Sequence, residues 1–336
     1  MKIACIFPGQ GSQSVGMSAD FYQQFAKSHE IFDKIDKIAG RPLSQLCFTG
    51  PAEALKRTIN TQPAILAASI VAWEAYLQAG GPKPAFVAGH SLGEFSALYA
   101  AQVLPLESVV EAVEKRAQLM EACPPGAMSA ILNMKYERLK EICAEIIASE
   151  QDIPAVGDTD LAENTASTTK VVVVANFNTE EQLVISGDPQ SVMAAGAQAK
   201  SEGAKVIPLA VGGAFHSSLM NEAAKQFASE LENYAFIDAA FPVVQNVTAQ
   251  AEKNGTAIKK ILQKQMISSV LWYDTIKFMI AQSVTHFVEI GPGKALSGMI
   301  KRIDKTVTVY NIEDSASLNN TIAALKAVAY APECAS

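Results

Sequence analysis

Short apolar runs of strand length alternate with longer segments of helical period along this chain, an alternation that predicts an α/β fold with a largely parallel sheet. Residues 3–7 read as the first strand. A helical stretch follows over about 17–40, then another over 61–79, where apolar side chains dominate (Ile65, Leu66, Ile70, Val71, Trp73, Tyr76, Leu77), as in a buried helix. Residues 85–88 form the second strand, 92–101 and 106–122 the next helices, and Cys123-Pro124-Pro125-Gly126 a domain edge.

Beyond that edge the pattern predicts a unit of its own. Strands at 127–132, 171–176, 182–186 and 204–209 and helices at 136–149 and 189–202 give the order β-α-β-β-α-β, the split plan of ferredoxin-like subdomains. Within it, residues 151–170 are rich in Asp, Thr, Ala and Ser and read as a mobile surface loop without a part in catalysis. The main unit resumes near Gly212 with helices at 217–234, 257–267, 273–282 and 295–303 and strands at 243–245, 285–290 and 307–311.

Composition narrows the function classes. The chain's 336 residues, 49% hydrophobic and only 18% charged, suffice for a large core and argue against disorder. A net charge of -7 disfavours nucleic acid as a partner. The cysteines (Cys5, Cys47, Cys123, Cys143, Cys334) are scattered and odd in number, which suggests neither a disulfide framework nor a zinc site. With no signal-peptide pattern and no apolar stretch of membrane-spanning length, the expectation is a cytoplasmic protein.

The chemistry is concentrated at Gly89-His90-Ser91-Leu92-Gly93, between a predicted strand and a predicted helix. A serine so placed sits on a strained turn, with helix N–H groups aimed at any oxyanion forming beside it. A serine nucleophile needs a base, and the chain has four histidines. His29 lies in a polar helical stretch, His90 adjoins Ser91 and supports the turn, and His286 opens a strand. His216, after Gly212-Gly213-Ala214-Phe215 and at the mouth of a helix, is the best candidate, and the helix N-terminus would keep its ring neutral. Glu94, Asp274 and Glu289 are all possible third members. Arg116, one of five arginines, reads by itself as a surface residue, although a substrate carboxylate would require a buried guanidinium.

Phe7-Pro8-Gly9-Gln10-Gly11-Ser12-Gln13, Gly89 to Glu94, Arg116, Gly213 to Ser217 and Glu289-Ile290-Gly291-Pro292-Gly293 occur in that order. In this the chain resembles the malonyl-CoA:acyl carrier protein transacylases of fatty-acid and polyketide synthesis, over residues 3–311. The resemblance implies an α/β-hydrolase-like parallel-sheet main domain (1–125 and 211–314), an inserted ferredoxin-like small subdomain (126–210) and a C-terminal helix or tail (315–336). It implies ping-pong transfer of malonyl from malonyl-CoA to the phosphopantetheine thiol of acyl carrier protein, with coenzyme A as product and no bound cofactor or metal. Ser91 would be the nucleophile and His216 its base. Gln10 and the Leu92 N–H would form the oxyanion hole, Arg116 would pair with the malonyl carboxylate, and the Gln265 carbonyl would orient the histidine. Phe215 would fill the space that an α-methyl group needs, which favours malonyl over methylmalonyl.

A serine acyl-thioester hydrolase is the alternative on the same scaffold; Arg116 and the 7–13 loop discriminate against it. A monomer is expected. For an acidic carrier, two basic groups are candidate docking sites: Lys253, Lys259, Lys260 and Lys264, and Lys294, Lys301, Arg302 and Lys305.

Overall fold

The computed structural model describes residues 1–149 and 170–329. The segment 151–170 singled out above lies, but for Lys170, outside the described residues, as does the end of the chain beyond residue 329. In chain order the elements are β1 (Ile3–Phe7), α1 (Ala19–Gln24), α2 (Ala26–Ala39), α3 (Leu43–Thr49), α4 (Ala52–Lys56), α5 (Thr58–Gln78), β2 (Phe86–Gly89), α6 (Gly93–Ala100) and α7 (Leu106–Glu121). There follow β3 (Ala127–Leu132), α8 (Tyr136–Ala148), β4 (Val172–Thr179), β5 (Gln182–Gly187), α9 (Pro189–Ser201) and β6 (Lys205–Pro208). The chain then runs through α10 (Asn221–Leu231), β7 (Val243–Val244), β8 (Ala251–Glu252), α11 (Gly255–Leu262), α12 (Trp272–Ala281), β9 (His286–Ile290), α13 (Ala295–Ile303), β10 (Thr308–Ile312) and α14 (Ser315–Ala329).

The fold is mixed α/β with a parallel-sheet core and a separate antiparallel sheet. The larger sheet has the order β10-β9-β1-β2-β7-β8, parallel throughout except for the short β8. Its faces are covered on both sides, so β1 is apolar without alternation, as in other parallel sheets. Ile3, Cys5 and Phe7 pack toward α5, and Ala4 and Ile6 toward Trp272, Ile276 and Ile300 on the other face. The smaller sheet, β4-β5-β3-β6, is antiparallel and carries a separate core of Ile131, Leu139, Ile142, Leu183, Ile185 and Val192.

The sheets meet at a neck and again farther out. At the neck Gly126 N–H donates to the Gly212 carbonyl at 3.0 Å. A Cβ on Gly126 would stand 2.3 Å from Ala214 N, so the two crossings meet only because that residue has no side chain. Farther out, β4 is tied to the segment before α12 by Phe177 N–H to Val270 O (2.9 Å) and Val270 N–H to Ala175 O (2.8 Å). The rings of Tyr136, Phe177 and Tyr273 stack across the same junction at 4.8 and 4.7 Å.

Several sequence expectations are corrected. The helix expected over 17–40 is two, broken where Phe25 takes an extended conformation (φ −120°, ψ 113°). Helices α3 and α4 were not anticipated. Helix α5 begins at Thr58 and runs through Pro63, which has no N–H to offer the carbonyl of Ile59 four residues back. Arg41 Nη2 supplies that missing donor at 2.8 Å, which explains how the proline is tolerated. The helix expected over 257–267 ends at Leu262, and a separate 3₁₀ turn, Gln265–Ile267, follows. No helix among the described residues is long and apolar enough to cross a membrane.

Candidate active site

Ser91 lies between β2 and α6 with φ +50°, a left-handed conformation that a non-glycine residue holds only against strain. The flanking glycines serve close approach. A Cβ on Gly89 would lie 1.9 Å from the Gly93 carbonyl, and one on Gly93 2.1 Å from the Phe7 carbonyl. Asn246, just beyond β7, clamps the turn: its Oδ1 accepts from Ser91 N–H at 2.7 Å and its Nδ2 donates to the Gly89 carbonyl at 2.6 Å. His90 points away from the serine, with Nε2 2.8 Å from Asn178 Oδ1 on the smaller sheet. Gly89→Ala is therefore expected to destabilise the protein by about 3 kcal/mol or more, since backbone and not a movable side chain blocks the methyl group. Chemical denaturation would measure it, with soluble yield as a first indication.

His216 is buried, with φ +61°, and its Nε2 is 2.9 Å from Ser91 Oγ. On the far side of the ring, Nδ1 lies 3.0 Å from two carbonyl oxygens, of Gln265 and of Ser268. Carbonyls only accept, so Nδ1 carries the proton and Nε2 is left to accept from the serine. The 3₁₀ turn ending near Ser268 presents both carbonyls, and no carboxylate among the described residues touches the ring. Burial, then the Arg116 charge and His90, holds the imidazole down at about 3. The ring is thus kept neutral by desolvation and a neighbouring cation rather than by a helix end.

Arg116, on α7, is fully buried rather than on the surface. Its Nη1 donates to Gln62 Oε1 at 2.6 Å, and its Nη2 donates to Gln265 Oε1 at 3.0 Å and to Ser91 Oγ at 3.1 Å. The guanidinium stands over the Phe95 ring at 5.6 Å, and its Nε meets no acceptor among the described residues. Burial lowers its pKa to about 10, against the raising effect of Glu94. Arg41, Arg57 and Arg138 all pair with carboxylates, and Arg302 donates to Gln182. Arg116 has no carboxylate within 4.0 Å among the described residues.

Gln265 joins these groups. Besides accepting from Arg116, its amide donates to the Ser91 carbonyl at 3.0 Å and to Glu94 Oε2 at 2.6 Å. The 7–13 loop packs against the serine turn, where a Cβ on Gly9 would stand 2.3 Å from the His90 carbonyl, and Gln10 Nε2 reaches Thr58 Oγ1 at 3.4 Å. Leu92 caps α6, and its N–H has no backbone acceptor among the described residues. The Gly291-Pro292-Gly293 turn backs this loop: a Cβ on Gly291 would press on Ser69 and Pro8. Phe215 is buried beside Gly213 in the segment that leads into His216.

Other candidates separate from the site. His29 is exposed and stacks on Tyr22, and His286 stacks on Tyr310. Glu289 caps α13 through the N–H groups of Leu296 and Ser297, and Asp274 sits in the first turn of α12. Among the basic groups, Lys259 pairs with Glu232 and Lys294 with Glu313. Sequence reasoning missed Gln62, Asn246 and Ser268. Gln62 left one signal, an amide inside a segment otherwise apolar enough to be buried.

The chain matches the acyl transferase domain family over residues 4–160 and 139–324. It is 39% identical over 329 residues to the malonyl CoA-acyl carrier protein transacylase of Bacillus subtilis (strain 168), covering 97% of this chain and 98% of the relative. Against the enzyme of the same name from Escherichia coli (strain K12) it is 38% identical over 321 residues, covering 94% and 97%. Among solved structures, an acyl carrier protein S-malonyltransferase from Vibrio cholerae superposes with a TM-score of 0.87 at 38% identity, covering 96% of this chain and 100% of that one. A malonyl-transacylase solved in complex with its type II polyketide-synthase acyl carrier protein gives 0.88 at 37% identity, with the same coverage.

Proposed function

The chain belongs to the acyl transferase domain family and is an acyltransferase, and we propose that it moves malonyl from malonyl-CoA to the thiol of acyl carrier protein through a malonyl ester on Ser91. The observation that carries the assignment of residues is Arg116: a buried guanidinium that touches the serine oxygen, held by two glutamines and with no carboxylate within 4.0 Å among the described residues. A free carboxylate on the acyl group supplies the missing anion.

The serine Oγ–H passes its proton to Nε2 of neutral His216 as Oγ attacks the thioester carbonyl. The Leu92 N–H, at the positive end of α6, and Gln10 receive the oxyanion. For a hole of this type, each donor stabilises the transition state by on the order of 3 kcal/mol. The imidazolium, held by the Gln265 and Ser268 carbonyls, protonates the departing sulfur and coenzyme A leaves. The carrier thiol then attacks the ester, again with His216 as base, and regenerates Ser91.

Mixing with malonyl-CoA alone should give a malonyl adduct in the intact mass, discharged by the carrier thiol far faster than by water. Absence of the adduct, or loss to water as fast as to thiol, would overturn this reading in favour of a hydrolase or neither.

Phe215 is the residue proposed to set acyl selectivity. Phe215→Ala should raise kcat/KM for methylmalonyl-CoA relative to malonyl-CoA by about tenfold, the scale of one methyl group in an apolar pocket. Competition between the two substrates measures it.

The discontinuous main unit (1–125 and 211–314) is assigned as α/β-hydrolase-like, and 126–210 as a ferredoxin-like subdomain. The strand order of the small sheet and the paired crossings at Gly126 and Gly212 support that division. The described cysteines, Cys5, Cys47, Cys123 and Cys143, are free thiols, which supports a reducing, cytoplasmic setting for a protein we take to be a monomer.

A further inference from the structure

Glu94 has no part in the steps above, yet it is placed with care. It stands in the first turn of α6, three residues after Ser91, and is 1% exposed. Oε2 accepts from Gln265, whereas Oε1 is buried and meets no donor among the described residues. Around it, α7 brings Arg116, and beside that guanidinium stands His216, from the segment before α10, with His90 of the turn near it in turn. The segment after β7 contributes the neutral Gln245 and Asn246, and α5 approaches the far end of α6, where Glu74 is bonded to Tyr99. Of the groups among the described residues that bear on Glu94 itself, only Arg116 is charged, and burial holds both histidines neutral.

Gln265 wires the two charges together. Its oxygen faces Arg116 and its amide nitrogen faces Glu94. Flipping the amide would set oxygen against carboxylate and nitrogen against guanidinium, so both ends dictate one orientation.

We propose that Glu94 is the counter-ion of Arg116 in the empty site and takes up a proton when the carboxylate of a malonyl group pairs with Arg116. The inference rests on the reading of Arg116 given above. One buried cation supports one buried anion, and a second carboxylate leaves an uncompensated negative charge in a desolvated site. Burial already pushes Glu94 up to about 7, with Gln265, Asn246 and Arg116 pulling the other way. Engaging Arg116 with a second anion weakens that pull. The proton comes from solvent and forms an O–H bond at Oε1, where no hydrogen bond is lost; Oε2 keeps Gln265. No electrons are transferred, and the proton is released when malonyl leaves.

Calorimetric titration of malonyl-CoA into Ser91→Ala enzyme, which cannot be acylated, tests this in buffers of different ionisation enthalpy. Coenzyme A, with the same phosphates and no carboxylate, is the reference. In excess of that reference, uptake should approach one proton per malonyl-CoA near pH ~8 and fall toward zero near pH ~5.5, where Glu94 is already protonated. Adding Glu94→Gln should abolish the excess while malonyl-CoA still binds. If that variant does not fold, the pH series on the Ser91→Ala protein decides alone. Tight binding with no excess uptake at either pH overturns the proposal and leaves the Arg116 reading intact, and so does an excess that survives Glu94→Gln. Equal affinity for malonyl-CoA and coenzyme A, unchanged by Arg116→Ala, overturns both.

Discussion

Ser91→Ala is expected to lower malonyl transfer by on the order of 10⁴- to 10⁶-fold and to leave no malonyl adduct in the intact mass. Two facts make the loss so large. The proposed route is covalent, so without Oγ the first half-reaction has no acceptor for the acyl group and the second has no acyl donor. Ser91 Oγ is also where His216 Nε2 and Arg116 Nη2 meet, at 2.9 and 3.1 Å. Removing the oxygen leaves the imidazole with no proton to take. His216→Ala should come within about tenfold of the same loss, and the double variant should be little worse than either, since residues acting as one unit are not additive. Single-turnover transfer from radiolabelled malonyl-CoA to the carrier measures all three.

Arg116→Ala is the second large effect. Truncating one partner of a desolvated charge pair costs roughly 2–5 kcal/mol, so kcat/KM for malonyl-CoA should fall by about 10²- to 10³-fold. The contact exists in the bound substrate as well as in the transition state, which places much of the loss in KM. Acetyl-CoA, which has no carboxylate to pair, should lose far less, and the ratio of the two substrates is the decisive measurement. Arg116→Lys should rescue only partly, because an ammonium cannot bond Gln62, Gln265 and a carboxylate in the plane of a guanidinium. Loss of both substrates in equal proportion would instead mean that Arg116 shapes the site without reading the carboxylate. The alanine variant should also unfold more readily, since the oxygens of Gln62 and Gln265 are left buried without that donor.

Much of the fold was legible because period and punctuation are local. The strand over 127–132 and the helix over 295–303 were placed to the residue, and most others to within a few. The misses have specific causes. Phe25 breaks a helix that periodicity carries straight through: its backbone is extended, and its ring lies against that of Phe21 at 5.7 Å. The helix expected up to residue 267 stops at Leu262, so that a separate turn can offer two carbonyls to His216.

By itself the sequence determined the strand-serine-helix order, the short list of histidines and the need for glycine at 89 and 93, since each depends on residue type and neighbours in the chain. Tertiary structure alone decided which acid would matter and what became of Arg116. Glu94, Asp274 and Glu289 look alike in sequence, but one caps α13, one opens α12, and Glu94 is tied through Gln265 to the serine and the arginine. A lone arginine in a charged helical segment looks solvated until α5, α6 and the 265 turn close around it. Burial is a property of the assembled elements, and it is burial that keeps His216 neutral and leaves Arg116 with no carboxylate in direct contact among the described residues.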